Sequence, residues 1–293
     1  KQSLWPLICP ICNAGLAKVD NVLKCPNSHS FDISREGYVN LLLPGQRRRK
    51  VLGDTKDMLQ ARRRFLDRGF YTPLSDGINE HIHGHLMEAS SLGESSSPTC
   101  IADLGCGEGH YVGRLSRYLD GYGVGTDARY FGADISKEAV RLAAKRYDGI
   151  WFFVGSTKQR ILLAEESVGV ILNVFAPRNS VEFARVSVRG GLLLVVIPHP
   201  DHLANLRSAL DLLDIETDKR ERVVEQMSGP FELVGEQTIG YDITLNQDDV
   251  SDLIQMTPNY WHISEATRQA AKAMGEIHAR VGFIILRFCR GGQ

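Results

Sequence analysis

The stretch Ile101-Ala102-Asp103-Leu104-Gly105-Cys106-Gly107-Glu108-Gly109 decides the fold of this chain. An apolar run of strand length ends in glycines spaced G-x-G-x-G, and helical spacing follows at Val112, Leu115 and Leu119. A strand that turns through glycines into a helix opens a doubly wound α/β sheet and leaves a ligand cradle at the turn. The spacing departs from G-x-G-x-x-G, the dinucleotide fingerprint. Asp103 precedes the first glycine, where a carboxylate suits a cationic or amine-bearing cofactor. Asp134 ends the next strand, 131–134, and is placed to accept hydrogen bonds from ribose hydroxyls. S-adenosylmethionine, with its amino-acid tail and sulfonium, fits this set better than NAD.

Outward from that turn the strand–helix alternation continues. Ser136 caps the next helix, and strands are expected at 151–154, 168–173 and 192–197. Strand-like segments at 231–245 and 281–288 flank helices at 248–256 and 264–274, and 201–213 reads as helical. Upstream, a helix is expected to start at Asp54 and bury Met58, Ala61 and Phe65, with a second over 73–87. The Ser- and Gly-rich stretch 90–98 reads as a linker, and 120–128 as a loop.

Near the start, Cys9-x2-Cys12-x12-Cys25-x3-His29 supplies four metal-ligand side chains in two close pairs. Two tight turns facing each other make a tetrahedron, and four protein ligands leave no open position, so the expected zinc is structural. Residues 1–45 are too few for a large core, and a metal staple compensates for that. The other cysteines, Cys100, Cys106 and Cys289, are scattered in apolar or glycine-rich surroundings, which fits a reducing compartment.

The 293 residues are 43% apolar, enough for a substantial core, and no apolar run approaches the ~20 residues a membrane helix needs. A net charge of -1 does not mark a nucleic-acid binder. Two local runs do depart from neutrality: Arg47, Arg48, Arg49 and Lys50, then Arg62, Arg63, Arg64 and Arg68. Local potential governs phosphate binding, whereas a solvated helix face explains the same charges equally well.

These residues resemble the zinc-containing 23S rRNA (guanine-N1)-methyltransferases, the type called RlmA or TlrB. The resemblance runs from the zinc knuckle through Glu36-Gly37-Tyr38-Val39-Asn40-Leu41 and Met58-x-Gln60-Ala61-Arg62-Arg63. It continues in Phe175-Ala176-Pro177 and Gln255-Met256-Thr257-Pro258. It implies a class I, Rossmann-like, S-adenosylmethionine-dependent methyltransferase fold with a small N-terminal zinc-binding domain. The implied units are a zinc-binding RNA-recognition domain at 1–45, a helical connector with basic runs at 46–98 and the methyltransferase domain at 99–293. Tyr71, Gly107, Glu108 and His202 match family positions that contact S-adenosylmethionine, and Asp103, Gly105, Gly109 and Asp134 follow from the broader superfamily.

The implied partner is a 23S rRNA hairpin, with no membrane; a homodimer is compatible with the sequence. The implied compartment is the cytoplasm, with an organelle as the alternative, because the chain begins at Lys1. N1 lies on the pairing edge of guanine, so the base must be unpaired or flipped into a pocket. Asn173, Phe175 and Pro177, at the carboxyl end of the fourth strand, are expected to help hold it. His199 and His262 are candidate bases, Tyr260 and Trp261 candidate stacking platforms, and Cys106 a packing residue. The rival readings are a small-molecule or tRNA methyltransferase and a non-catalytic zinc/RNA-binding module.

Overall fold

The computed structural model describes residues 2–43, 54–91, 99–124, 127–257, 264–273 and 275–291. Four short antiparallel strands, β1 (Gln2–Ile8), β2 (Gly15–Val19), β3 (Val22–Lys24) and β4 (Ser30–Asp32), form the first sheet. A fifth, β5 (Val39–Asn40), leaves that sheet and joins a second one. Two helices follow, α1 (Lys56–Asp67) and α2 (Thr72–Ser91).

The large sheet is built from β6 (Cys100–Leu104), β7 (Arg129–Asp134), β8 (Ile150–Val154), β9 (Val168–Val174), β10 (Ser187–Pro198), β11 (Phe231–Leu245) and β12 (Ile277–Arg290). The order is β11-β12-β10-β9-β6-β7-β8-β5, so the winding reverses between β6 and β9. That reversal opens a crevice at the strands' carboxyl ends, where ligands bind in such sheets. β12 runs antiparallel between β10 and β11, while the pairs from β10 to β5 are parallel. This is the class I methyltransferase topology with one extra strand on the β8 edge. Helices α3 (His110–Tyr122), α4 (Lys137–Arg146), α5 (Ser180–Val186), α6 (Ala204–Leu210), α7 (Lys219–Met227), α8 (Gln247–Gln255) and α9 (Glu265–Ala273) complete the chain.

The extra strand pairs Val39 with Phe153 and Asn40 with Val154. Beside it Ile8 N–H donates to Leu162 O (3.0 Å), Ala164 N–H to Pro6 O (2.8 Å) and Leu41 N–H to Val154 O (3.1 Å). Leu7, Leu16, Leu23 and Ile33 of the first unit share one apolar cluster with Phe131, Phe153 and Leu163 of the large sheet. The small unit therefore borrows a core from its neighbour, which its own few residues could not supply.

Helix α1 buries Met58, Leu59, Ala61, Phe65 and Leu66. Its cap is Thr55, whose side chain accepts from Met58 N–H at 3.3 Å, so the expected start at Asp54 is one residue early. Asp54 instead pairs with Arg62. The second basic run is ion-paired throughout. Arg63 pairs with Glu108, Arg64 with Asp252 through Nε–Oδ2 at 2.9 Å, and Arg68 with Asp249 at 2.8 Å. α1 lies across acidic groups that pair with all four arginines, while the Arg64 and Arg68 side chains stay about half exposed. The first run, Arg47–Lys50, lies outside the described residues.

Other differences are local. The helix expected over 73–87 runs from Thr72 to Ser91, and α3 extends to Tyr122 into the segment read as a loop, stopped by Gly123 in the left-handed conformation. Among the described residues no helix is long and apolar enough to cross a membrane.

Candidate active site and zinc centre

Cys9, Cys12, Cys25 and His29 converge, with their ligand atoms all within 4.8 Å of one another. Cys12 Sγ lies 3.6 Å from Cys25 Sγ, and His29 Nδ1 lies 3.6 Å from Cys9 Sγ and 3.4 Å from Cys25 Sγ. A tetrahedral zinc with ~2.3 Å sulfur bonds requires sulfur–sulfur edges of roughly 3.7 Å, so the donor set fits that ion. The turns that present the ligands are tight: Asn13 (φ 60°) follows the first pair and Ser28 (φ 64°) precedes His29, both left-handed. Backbone N–H donation, led by Ala14, pulls the Cys12 thiol down to about 6, while burial raises Cys9. Thiolates are the ligand form, and a divalent cation offsets the cost at the buried member.

The cofactor turn sits at the winding reversal. Gly105 (φ 97°), Gly107 (φ 53°) and Gly109 (φ 79°) are all left-handed. Space imposes a second constraint: a Cβ at Gly105 would lie 2.3 Å from Ala176 Cβ, and one at Gly109 3.0 Å from the Phe152 ring. The turn is anchored by N–H groups of Gly105 and Cys106 on Ala133 O at 2.8 and 3.0 Å.

Asp134 accepts from Gly107 N–H at 2.9 Å and Ser136 N–H at 2.8 Å, fixing its carboxylate beside the turn. Asp103 is 1% exposed, and neither of its oxygens has a hydrogen-bond partner. Burial first, and the Asp134 charge second, push its carboxyl up to about 7. A buried, unpartnered carboxyl beside a glycine turn is an unmet demand for a donor or a cation. The amino-acid end of S-adenosylmethionine supplies both, so the residues present fit that cofactor.

Glu108 is also buried, but Arg63 Nε donates to its Oε2 and Arg146 Nη1 lies 3.7 Å from its Oε1. Its carboxylate thus fastens α1 to the turn, a partner that spacing along the chain did not disclose. Tyr71, in the short loop between α1 and α2, meets His202: Tyr71 Oη lies 3.3 Å from His202 Nε2. His202 Nδ1 accepts from Gly282 N–H at 3.2 Å, so the proton resides on Nε2 and points at Tyr71. Burial first, then Arg207, holds this imidazole down to about 4 and keeps it neutral. Both rings pack on Phe283, at 4.8 Å each.

Phe175 continues this aromatic wall, 5.7 Å from Phe283 and 6.5 Å from Tyr111, yet its side chain is 44% exposed. Its φ of 52° is left-handed, a strained conformation for an aromatic residue. Pro177 is exposed at the same lip. Asn173 is wholly buried and donates from Nδ2 to Leu104 O (2.9 Å) and Pro177 O (3.1 Å). Its amide hydrogens tie the turn after β9 to the end of β6, while its buried Oδ1 has no hydrogen-bond partner. Cys106 is a buried packing residue, and His199 Nδ1 accepts from Asp201 N–H at 3.2 Å. Tyr260, Trp261 and His262 lie outside the described residues. Phe283 and Arg63 do not stand out in the sequence as parts of this site: the first lies in the strand-like segment 281–288, the second in a basic run.

Residues 7–50 match the family model described as RlmA, N-terminal. Over 285 residues, 96% of each chain, the sequence is 37% identical to the 23S rRNA (guanine(748)-N(1))-methyltransferase of Streptomyces fradiae. A Micromonospora griseorubida protein provisionally named as a 23S rRNA (guanine-N1)-methyltransferase is 36% identical over 276 residues, 91% of this chain and 90% of that one. A Bacillus subtilis protein provisionally named for the same reaction is 29% identical over 264 residues, 86% of each. With the zinc ribbon, the cofactor turn and the relatives in agreement along nearly its whole length, the chain belongs to the family of 23S rRNA (guanine-N1)-methyltransferases.

Proposed function

We propose that the protein transfers the methyl group of S-adenosylmethionine to N1 of a guanine in a 23S rRNA hairpin. The observation that carries this reading is the 37% identity that spans both the ribbon and the methyltransferase fold of a relative named for that reaction. S-adenosylmethionine, when bound, supplies an electrophilic methyl group on a sulfonium. Accepting that methyl group would require N1 of guanine to release its proton to solvent and form the N1–C bond, while the C–S electron pair would stay on sulfur as a neutral thioether.

The chain's contribution is chiefly positional. Asp103 offers its unpartnered carboxyl to the cofactor's amine, the backbone of Gly105, Gly107 and Gly109 lets that end approach closely, and Asp134 receives the ribose. Tyr71 and the neutral His202 close the pocket on one side, and Glu108 keeps α1 seated on the turn. Phe175 and Pro177 form the lip that receives the flipped base, with Asn173 bracing it from below. Zinc on Cys9, Cys12, Cys25 and His29 is structural and performs no step.

The division into 1–45, 46–98 and 99–293 assigns hairpin recognition to the first unit and to Arg47–Lys50. The protein is assigned to the bacterial cytoplasm, where its substrate is made, and a homodimer is tested by sedimentation. The deciding experiment offers labelled S-adenosylmethionine and unmodified 23S rRNA, then maps primer-extension arrest. A stop at one guanine supports the reading, because an N1-methyl group blocks pairing. Cofactor binding without label in rRNA would point to tRNA or a small molecule.

A further inference from the structure

We propose that Arg178, Lys219 and Arg222 form a seat for an RNA backbone phosphate at the rim of the guanine pocket. The inference rests on the RNA reading above and adds a contact surface to it. Arg178 follows the lip directly: its Nη1 donates to Ala176 O at 3.3 Å, and Ala176 packs against Gly105 of the cofactor turn. Its Nε donates to Gln226 Oε1 at 3.2 Å, and Gln226 Nε2 returns a bond to Arg178 O at 3.4 Å. Gln226 lies on α7, where Lys219, Arg222 and Gln226 recur at i, i+3 and i+7 and share one face. That face is therefore turned toward Arg178.

Three cations meet there, and of the three only Arg222 is in a salt bridge, with Glu216. Among the described residues neither Arg178 nor Lys219 has a carboxylate within salt-bridge reach. The nearby acids are engaged elsewhere: Glu216 with Arg222 at 2.7 Å, and Glu236 and Glu221 with Arg220. The Arg222–Glu216 pair is solvent-exposed, so it competes weakly with an incoming anion. Burial, then Arg222, lowers the Arg178 guanidinium; burial, then Arg178, lowers Lys219. Like charges are being held together, a cost that an anion would relieve. Beside them a hollow of about 160 Å³ opens at the end of β10, lined by Pro198, His199, Lys219 and Arg220 together with Glu216 and Glu221, the two acids already paired with Arg222 and Arg220. A guanine held at the Phe175–Pro177 lip would carry its flanking phosphates past the adjoining Arg178.

The test uses the full, zinc-loaded protein and an unmodified 23S rRNA transcript, with binding measured across a salt series. Arg178→Gln/Lys219→Gln should bind the transcript about tenfold more weakly and flatten the salt slope by about one to two. Affinity for S-adenosylmethionine should stay at the wild-type value, and Arg178→Lys should restore most of the slope. Unchanged affinity and slope in the double variant would overturn the seat. Should that variant fold poorly, Lys219→Gln alone decides, with a slope change of about one expected and none overturning. Methyl transfer by the wild type is scored separately. An rRNA that is bound through these residues but never methylated keeps the seat and defeats the functional reading. Methylation with an unaltered slope does the reverse.

Discussion

Arg63 on α1 donates from Nε to Glu108 in the cofactor turn, and the same guanidinium reaches Leu142 O on α4 at 3.3 Å. One side chain thus fastens a helix that precedes the methyltransferase sheet to two of that sheet's own elements. Arg63→Met should leave Glu108 buried with only Arg146 nearby, 3.7 Å away. We expect a stability loss of about 3 kcal/mol, the low end for breaking a buried pair because Arg63 is partly exposed. Urea titration checks the loss, and cofactor affinity should fall with it. Glu108→Gln should cost less, since it leaves no buried charge behind.

Asp103 makes cofactor binding depend on pH. Its folded pKa of about 7 lies above the ordinary carboxylate value, so the folded apoprotein holds a proton that the unfolded chain has lost. Stability of the apoprotein should therefore decline as pH rises from about 4 to about 7 and level off beyond. A cationic amine prefers the ionised form, so S-adenosylmethionine should bind more tightly at about pH 8 than at about pH 6. Calorimetric titration at both values reads this. Asp103→Asn should flatten the dependence; an equal dependence in that variant would assign it to another group, with Asp134 next in line.

Zinc removal should destabilise the whole chain. The ribbon's Leu7, Leu16 and Leu23 share a core with Phe131 and Phe153, so the two parts should melt together. One zinc per chain is expected by elemental analysis, and Cys25→Ser should lower the single calorimetric transition. Two well-separated transitions would show that the shared core is energetically unimportant.

Asn173→Ala strips hydrogen bonds from Leu104 O and Pro177 O. Turnover should fall about tenfold or more, while affinity for S-adenosylmethionine changes by less than about threefold, the split expected when an acceptor lip loses its brace. Unchanged turnover would sink the role given to this residue.

Phe175→Gly separates strain from function. Glycine accepts a φ of 52° without penalty, a gain of about 1 kcal/mol that offsets the lost contact with Phe283. Thermal stability should hold nearly level while rRNA methylation drops. Retained methylation would remove the aromatic lip from the mechanism.

Much of this architecture was legible because it is written locally. The strand–glycine–helix turn at 101–109, the Ser136 cap and the paired ligands of the ribbon each declare themselves within a few residues. Long-range pairing does not. Nothing near Arg63 announces Glu108, and nothing near Val39 announces Phe153, because those partners are chosen by packing after the chain has closed. The arginines of α1 are the sharpest instance: charge patterning gives their sign but says nothing of the acids opposite. Asn173 was found by its position on the fourth strand, whereas its burial, which decides what it does, belongs to the assembled sheet.

The strand Val39–Asn40 leaves a mark on the order of events during synthesis. The ribbon is translated before its partners: strand β8 and the Leu162–Ala164 segment follow more than a hundred residues later. Throughout that interval its apolar side faces water and only the metal can hold its shape. Once β8 is made, its edge is an open template for a neighbouring chain until β5 docks on it. A cell short of zinc should therefore accumulate this protein as aggregate before it accumulates any that is folded and merely inactive.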